Sequence, residues 1–239
     1  MASKQKTSSL ACADKMPPPA TLEDHPFYGL MLDSEQAEFR DAIWSDENII
    51  VFCNAAAGTG KTLVATATAD LLVRYGKFDS IVYLVSPYAE SKQGYLPGTL
   101  AEKSQYYYQP LRQALMAIGV DSISAISDES MQSQKMGVGY ISCQTDSFIR
   151  GVNYKRSVVI IDEAQNYTIS QLRTALTRCS DDCKVIVIGS MRQIDLDDPF
   201  DSGFQYCIEH FSGQPWSKLV SLTMNHRGKL SSHADEMVG

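Results

Sequence analysis

Asn48-Ile49-Ile50-Val51-Phe52-Cys53-Asn54-Ala55-Ala56-Ala57-Gly58-Thr59-Gly60-Lys61-Thr62-Leu63-Val64-Ala65 decides the fold. An apolar run leads into a glycine-bearing turn, and a helical pattern follows. Strand, turn and helix in that order are the context of a phosphate-binding P-loop. Glycines let the backbone curl so that successive N–H groups converge on phosphate, and the helix start adds its positive dipole end. Ala57, Gly58, Thr59 and Gly60 then form the phosphate cradle. Lys61 reaches the β/γ oxygens, and the Thr62 hydroxyl takes a position on Mg2+. The strict pattern has glycine where Ala55 stands, and a Cβ there restricts positive φ.

A second stretch, Ser157-Val158-Val159-Ile160-Ile161-Asp162-Glu163-Ala164-Gln165, supports this reading. Four branched aliphatics ending in two acids read as a strand buried on both faces, with ligands gathering at its carboxyl end. Asp162 is the expected Mg2+ ligand, and Glu163 the general base that polarises the attacking water. The plain alternative is that the acids cap the helix expected over Ser170–Arg178.

Ile81–Val85, Gly139–Cys143, Lys184–Gly189 and Lys218–Leu222 read as further strands. The early helix around Ala37, Phe39, Ala42 and Ile43 is expected to be capped by Ser34. Gln36 on that helix precedes the P-loop strand, and its amide can pair with both edges of adenine. Gln193, just past the Lys184–Gly189 run, can sense the γ-phosphate. Tyr106-Tyr107-Tyr108 reads as packing or a subunit contact rather than a base-stacking platform, because adjacent helical residues face different ways. A helix from Lys229 to Met237 closes the chain.

With 239 residues the chain suits one well-buried domain, expected over 25–239 after a disordered tail at 1–24. The net charge of −7 gives no whole-molecule basic field toward nucleic acid or anionic membrane, although a local basic patch is compatible with it. Apolar runs fall short of the roughly 20 residues that span a bilayer, so no membrane partner is expected. The cysteines form no C-x-x-C pair and several sit inside apolar runs, which suits buried thiols in a reducing cytoplasm, the host's if the chain is phage-encoded.

On these motifs the chain resembles the PhoH-like ATPases, single-lobed relatives of superfamily 1 helicases. Gln93–Lys103 resembles that family's "GFLPG…EK" stretch, Ile161–Asn166 its Walker B sequence, and Gly189–Leu196 its "GD..QIDL" stretch. Leu176-Thr177-Arg178 also fits, and the match runs from Leu32 to Phe211. Gln36 resembles the helicase adenine-reading glutamine, and Asn225-His226-Arg227 a helicase "N-Y-R" phosphate contact. Superfamily 1 accepts alanine where Ala55 stands. Ser190 departs from the family's Asp, and Ser86-Pro87 from its Arg-Pro.

The resemblance implies a RecA-like α/β domain with a mainly parallel sheet, helices on both faces, and ATP at the strand C-termini. It implies Mg2+-dependent hydrolysis of ATP, with Lys61, Glu163 and Gln193 as the working residues. Helicases close this kind of site with an arginine from a second lobe. Here a neighbouring subunit is expected to supply it, from Arg150, Arg178 or Arg227, in a homo-oligomer, with a hexameric ring as the implied form. Single-stranded RNA or DNA is the first expected partner. The alternatives are an ATPase of phosphate-stress or phage metabolism without a nucleic-acid role, and a nucleotide-gated assembly module with little turnover. No nuclease domain is expected, so RNA cleavage is not carried over.

Overall fold

A computed structural model of the chain describes residues 17–86, 107–127, 139–145 and 151–234. Six strands form one sheet, in the order β3-β2-β4-β5-β1-β6: β1 (Ile50–Ala55), β2 (Ser80–Val85), β3 (Ile141–Thr145), β4 (Ser157–Asp162), β5 (Lys184–Gly189) and β6 (Ser217–Leu222). Every pairing is parallel, so all six carboxyl ends lie along one edge. Parallel strands need crossovers, and helices supply them.

The central strands read as unbroken apolar runs because both faces are covered. Alternate residues divide between two cores. Val51, Cys53, Val158, Ile160, Ile186 and Ile188 pack beneath α1 (Ser34–Trp44), α2 (Lys61–Arg74) and α3 (Gln109–Ala117). Phe52, Val159, Ile161 and Val187 pack beneath α5 (Ile169–Leu176) and α6 (Phe204–Phe211) on the other face. The short helices α4 (Ser122–Ala125) and α7 (Lys229–Ala234) complete the described set.

Several local expectations change. Asp33, not Ser34, caps α1: its carboxylate accepts from Gln36 N, and the Gln36 side chain accepts from Asp33 N in return. An ionised carboxylate at a helix N-terminus also meets the positive end of the dipole, an interaction the serine hydroxyl lacks. Thr168 caps α5 in a second capping box, so Asp162 and Glu163 are not its caps. That helix runs Ile169–Leu176, shorter than expected.

Packed chain begins upstream of residue 25, because Leu22 is fully buried and Trp44 Nε1 donates to the Pro19 carbonyl at 3.1 Å. Tyr108 is buried and meets Tyr83 edge-on at 6.4 Å, and Tyr107 packs on the same core, so both are packing residues. Tyr106, the Gln93–Lys103 motif, Pro87, Arg150 and residues 1–16 lie outside the described residues.

Candidate active site

The loop after β1 carries Gly58 at φ +71° and Gly60 at φ +80°, left-handed conformations that a Cβ disfavours. Ala55 is the buried last residue of β1 and lies in the strand, where an L-residue fits and no glycine is needed. The carbonyls of the loop are held from outside. Asn225 Nδ2 donates to Ala57 O at 2.9 Å, His226 N to Gly58 O at 2.9 Å, and Gln36 Nε2 to Thr59 O at 2.8 Å. Among the described residues, no acceptor pairs with the N–H groups of Ala57, Gly58 and Thr59. A loop with its carbonyls engaged and its amides unspent, running into the N-terminus of α2, is built for an anion.

Gln36 spends half of its amide on the chain: its oxygen accepts from Asp33 N and its nitrogen donates to Thr59 O, and among the described residues one N–H and one oxygen lone pair stay uncommitted. Arg227 lies against its own P-loop, since a Cβ on Gly58 would come within 3.0 Å of the Arg227 Cγ and Cδ. Arg178 is elsewhere, two residues beyond the C-terminal end of α5. Its carbonyl accepts from Tyr154 N, three residues before β4 begins, whereas Asp162 stands at the other end of that strand. The Arg178 Nε is buried, with no hydrogen-bond partner among the described residues.

Beside the loop, β4 delivers Asp162 with no exposed surface. Its Oδ2 accepts from Thr62 Oγ1 at 3.0 Å and Tyr83 OH at 2.6 Å, and its Oδ1 accepts from Glu163 N at 2.8 Å. Burial, then the neighbouring Glu163 charge, push the Asp162 carboxyl up to about 6. The Lys61 charge and the bonds from Tyr83 and Glu163 N pull the other way. Burial, then Asp162, keep the Tyr83 hydroxyl protonated far above its ordinary range, so its proton is available to the Asp162 carboxylate.

Glu163 sits at φ 52°, ψ 43°, a left-handed conformation for a residue with a Cβ. Non-glycine residues there are held by their surroundings and cluster at functional sites. Its carboxylate lies 3.6 Å from Lys61 Nζ and accepts from Gln165 Nε2 at 2.6 Å. Gln165 Nε2 also donates to Gln193 O at 3.0 Å, and Asn54 Oδ1 accepts from Met191 N at 3.2 Å. The segment after β5 is thereby fastened to β1 and to the acidic end of β4.

Mg2+ fits this donor set. A hydroxyl and a buried carboxylate stand together, flanked by a second carboxylate, and the burial and neighbouring charge that raise Asp162 are both offset when a divalent cation is bound. Of the residues sequence reading singled out, the structure gathers Lys61, Thr62, Asp162, Glu163, the glycine loop, Gln36, Arg227 and the main chain of Gln193. It does not bring Arg178 to them. Tyr83 and Asn54 went unnoticed. A lone tyrosine among the aliphatics of β2 was the available signal for the first, and an asparagine before the glycine loop for the second.

An all-parallel sheet with a glycine loop after one strand and paired acids after another defines a RecA-like P-loop α/β domain. The chain belongs to the PhoH-like protein family, whose model matches residues 31–233. Protein PhoH2 of Bacillus subtilis (strain 168) is 33% identical over 186 residues, which cover 76% of this chain and 41% of that protein. The PhoH-like protein of Mycobacterium leprae (strain TN) is 34% identical over 198 residues, 80% of this chain and 54% of that one. Protein PhoH of Escherichia coli (strain K12) is 30% identical over 185 residues, 76% and 49% of the two chains. The chain thus spans about half the length of these relatives.

Among solved structures, the large terminase of a thermophilic bacteriophage, in complex with ADP, matches with a TM-score of 0.54 at 12% identity, covering 85% of this chain and 49% of that one. The UvsW helicase of bacteriophage T4 matches with a TM-score of 0.50 at 11% identity, covering 80% and 60%. At these identities the likeness is one of fold. Among the described residues no helix is long and apolar enough to cross a membrane.

Proposed function

We propose that the protein hydrolyses ATP to ADP and phosphate in a Mg2+-dependent reaction. The observation that carries this reading is the 3.0 Å bond between Thr62 Oγ1 and Asp162 Oδ2, which joins two motifs 100 residues apart beside an anion-binding loop. Thr62 and Asp162 would hold Mg2+, which would supply positive charge against the phosphates. The loop amides and Lys61 bind the phosphates. Lys61 is 3.6 Å from Glu163, and phosphate oxygens drawing the ammonium away leave that carboxylate to accept a proton from water. As the water oxygen bonds to the γ-phosphorus, the bond to the bridging oxygen of ADP breaks. Gln193 is suited to hydrogen-bond the γ-phosphate, and Arg227, packed on Gly58, supports a phosphate contact in cis.

That leaves Arg150 and Arg178 as candidates for an arginine given by a neighbouring copy, worth on the order of 10³-fold in rate in other NTPases. A homo-oligomer would meet that need, and the hexameric form is the one that the family resemblance implies. An oligomeric motor on single-stranded RNA or DNA is the first substrate reading, supported by the likeness in fold to a helicase and a terminase. Exposed Asp195, Asp197, Asp198 and Asp201 follow Gln193 directly and would repel a phosphate backbone. They favour the second reading, an ATPase without a nucleic-acid role.

Phosphate release by the wild type and Glu163→Gln, each with and without single-stranded RNA or DNA, tests both. We expect Glu163→Gln to lower kcat by at least about 100-fold with ATP binding retained. Stimulation by nucleic acid that is lost in high salt selects the motor, and an unchanged rate selects the second reading. Wild-type turnover in Glu163→Gln overturns the catalytic assignment.

A further inference from the structure

We propose that Gln165 is a positioning residue that couples the catalytic carboxylate to the loop carrying Gln193. The inference rests on reading Glu163 as the base. Gln165 is 1% exposed, and its single carboxamide makes three bonds. Nε2 donates to Glu163 Oε2 at 2.6 Å and to Gln193 O at 3.0 Å, and Oε1 accepts from Ser190 N at 3.0 Å. Both amide hydrogens are spent on acceptors and the oxygen on a donor, so the orientation is fixed. A flipped amide would set its oxygen against a carboxylate and a carbonyl.

Two neighbouring features serve the same arrangement. Gly189 leaves the space the amide occupies, since a Cβ there would come within 2.8 Å of Gln165 Oε1. Asn166 fastens the loop a second time, donating to Asp195 Oδ2 at 3.1 Å and accepting from Asp195 N at 2.8 Å. Glu163 takes the opposite backbone hand from the residues around it, so a partner at its carboxylate decides where that group points. Any shift of the 190–193 main chain as Gln193 engages a γ-phosphate reaches the base through one planar group. A residue that only fills space beneath the loop would not pass on such a shift.

Gln165→Met, of similar volume but without hydrogen bonds, tests the coupling in the wild-type and Glu163→Gln backgrounds. Gln165→Asn is a milder variant whose amide is too short to reach both partners. In the wild-type background we expect Gln165→Met to lower kcat by about 10- to 100-fold, the range for loss of a charge-assisted bond, with KM for ATP within about threefold. In the Glu163→Gln background it should cost nothing further. Gln165→Asn should fall between, and it carries the test if the methionine variant does not fold. In the nucleotide-free protein the Ser190 amide should exchange its hydrogen at least about tenfold faster in Gln165→Met, with the Ile160 amide unchanged.

An equal loss in both backgrounds makes Gln165 a packing residue and overturns the proposal while leaving Glu163 as the base. An unchanged kcat, or unchanged Ser190 exchange, also overturns it. Wild-type turnover in Glu163→Gln removes the base itself, and the coupling falls with it.

Discussion

Asp162 is placed against its own stability. It is fully buried and beside a second acid, and Tyr83, Thr62 and the Glu163 amide only partly compensate. Its carboxyl titrates near 6 in the nucleotide-free fold and near 4 in the unfolded chain. Between those values the folded state binds more protons, so this residue makes stability fall as pH rises from about 4 to 6. In thermal unfolding without metal or nucleotide, the stability of Asp162→Asn should fall less, or rise more, across that window than that of the wild type. Such a conflict is what a binding site predicts, where a local rule is broken for function.

Some of this was legible in the sequence because it is local. The apolar runs of β1 and β4, each followed by polar residues, are local signals that need no partner, and they put Lys61, Thr62, Asp162 and Glu163 past the strand ends, where the structure brings them together. The cap of α1 was misread by one residue because Asp33 and Ser34 both suit the role and only backbone geometry separates them. The grip of Tyr83 on Asp162, across 79 residues, and of Gln165 on Ser190, across 25, leave no periodic trace. They depend on strand order, which composition does not state.

At the scale of elements, the segment after β6 works as a strap. The Glu35 carboxylate, in the first turn of α1, accepts from Thr223 N at 2.6 Å, Thr223 Oγ1 at 2.7 Å and Met224 N at 3.3 Å. The Thr223 amide, followed by its hydroxyl, holds that carboxyl below the usual range. His226 Nε2 lies 2.7 Å from Asp33 Oδ2. Thus α1 anchors the strap, and the strap anchors two P-loop carbonyls through Asn225 and His226. Glu35→Ala removes the anchor without touching the phosphate-binding residues. We expect KM for ATP to rise about three- to tenfold with kcat nearly unchanged, the pattern of lost uniform binding, read from steady-state phosphate release.

At the scale of the molecule, one buried carboxylate joins three regions. Asp70 on α2 is fully buried and accepts from Tyr28 in the N-terminal segment, from Tyr140 before the edge strand β3, and from Arg74 one turn on. Asp70→Ala strands three donors, of which Arg74 is half exposed and can be hydrated. A loss of about 1–3 kcal/mol in denaturant unfolding is expected, with no change in kcat. Buried thiols set the alkaline limit. Burial pushes Cys53 and Cys179 up to about 12 and Cys207 to about 11, while the unfolded chain releases these protons near 8.5. Stability therefore falls as pH rises above about 8.5, by up to about 1.4 kcal/mol per unit for each thiol. Burial holds Lys184 down to about 8, a single group of opposite sign that offsets one thiol. The unfolding midpoint should drop between pH 8 and 10, and alanine at the three cysteines should flatten the decline.

The place of β6 beside β1 has a consequence for biosynthesis. Ile50 pairs with Ser217 and Ala55 with Leu222, and Glu35 meets Thr223 across 188 residues. At about 5–20 residues per second, β1 leaves the ribosome on the order of ten seconds or more before the strand that covers its free edge. Until then a strongly apolar strand has an unpaired side, and closing so long a loop is slow. Low yield from rapid expression, relieved by slower translation or a chaperone that shields strand edges, is the expected signature of this topology. Substitutions at β6 should reduce soluble yield more than they reduce the equilibrium stability of the protein that does fold.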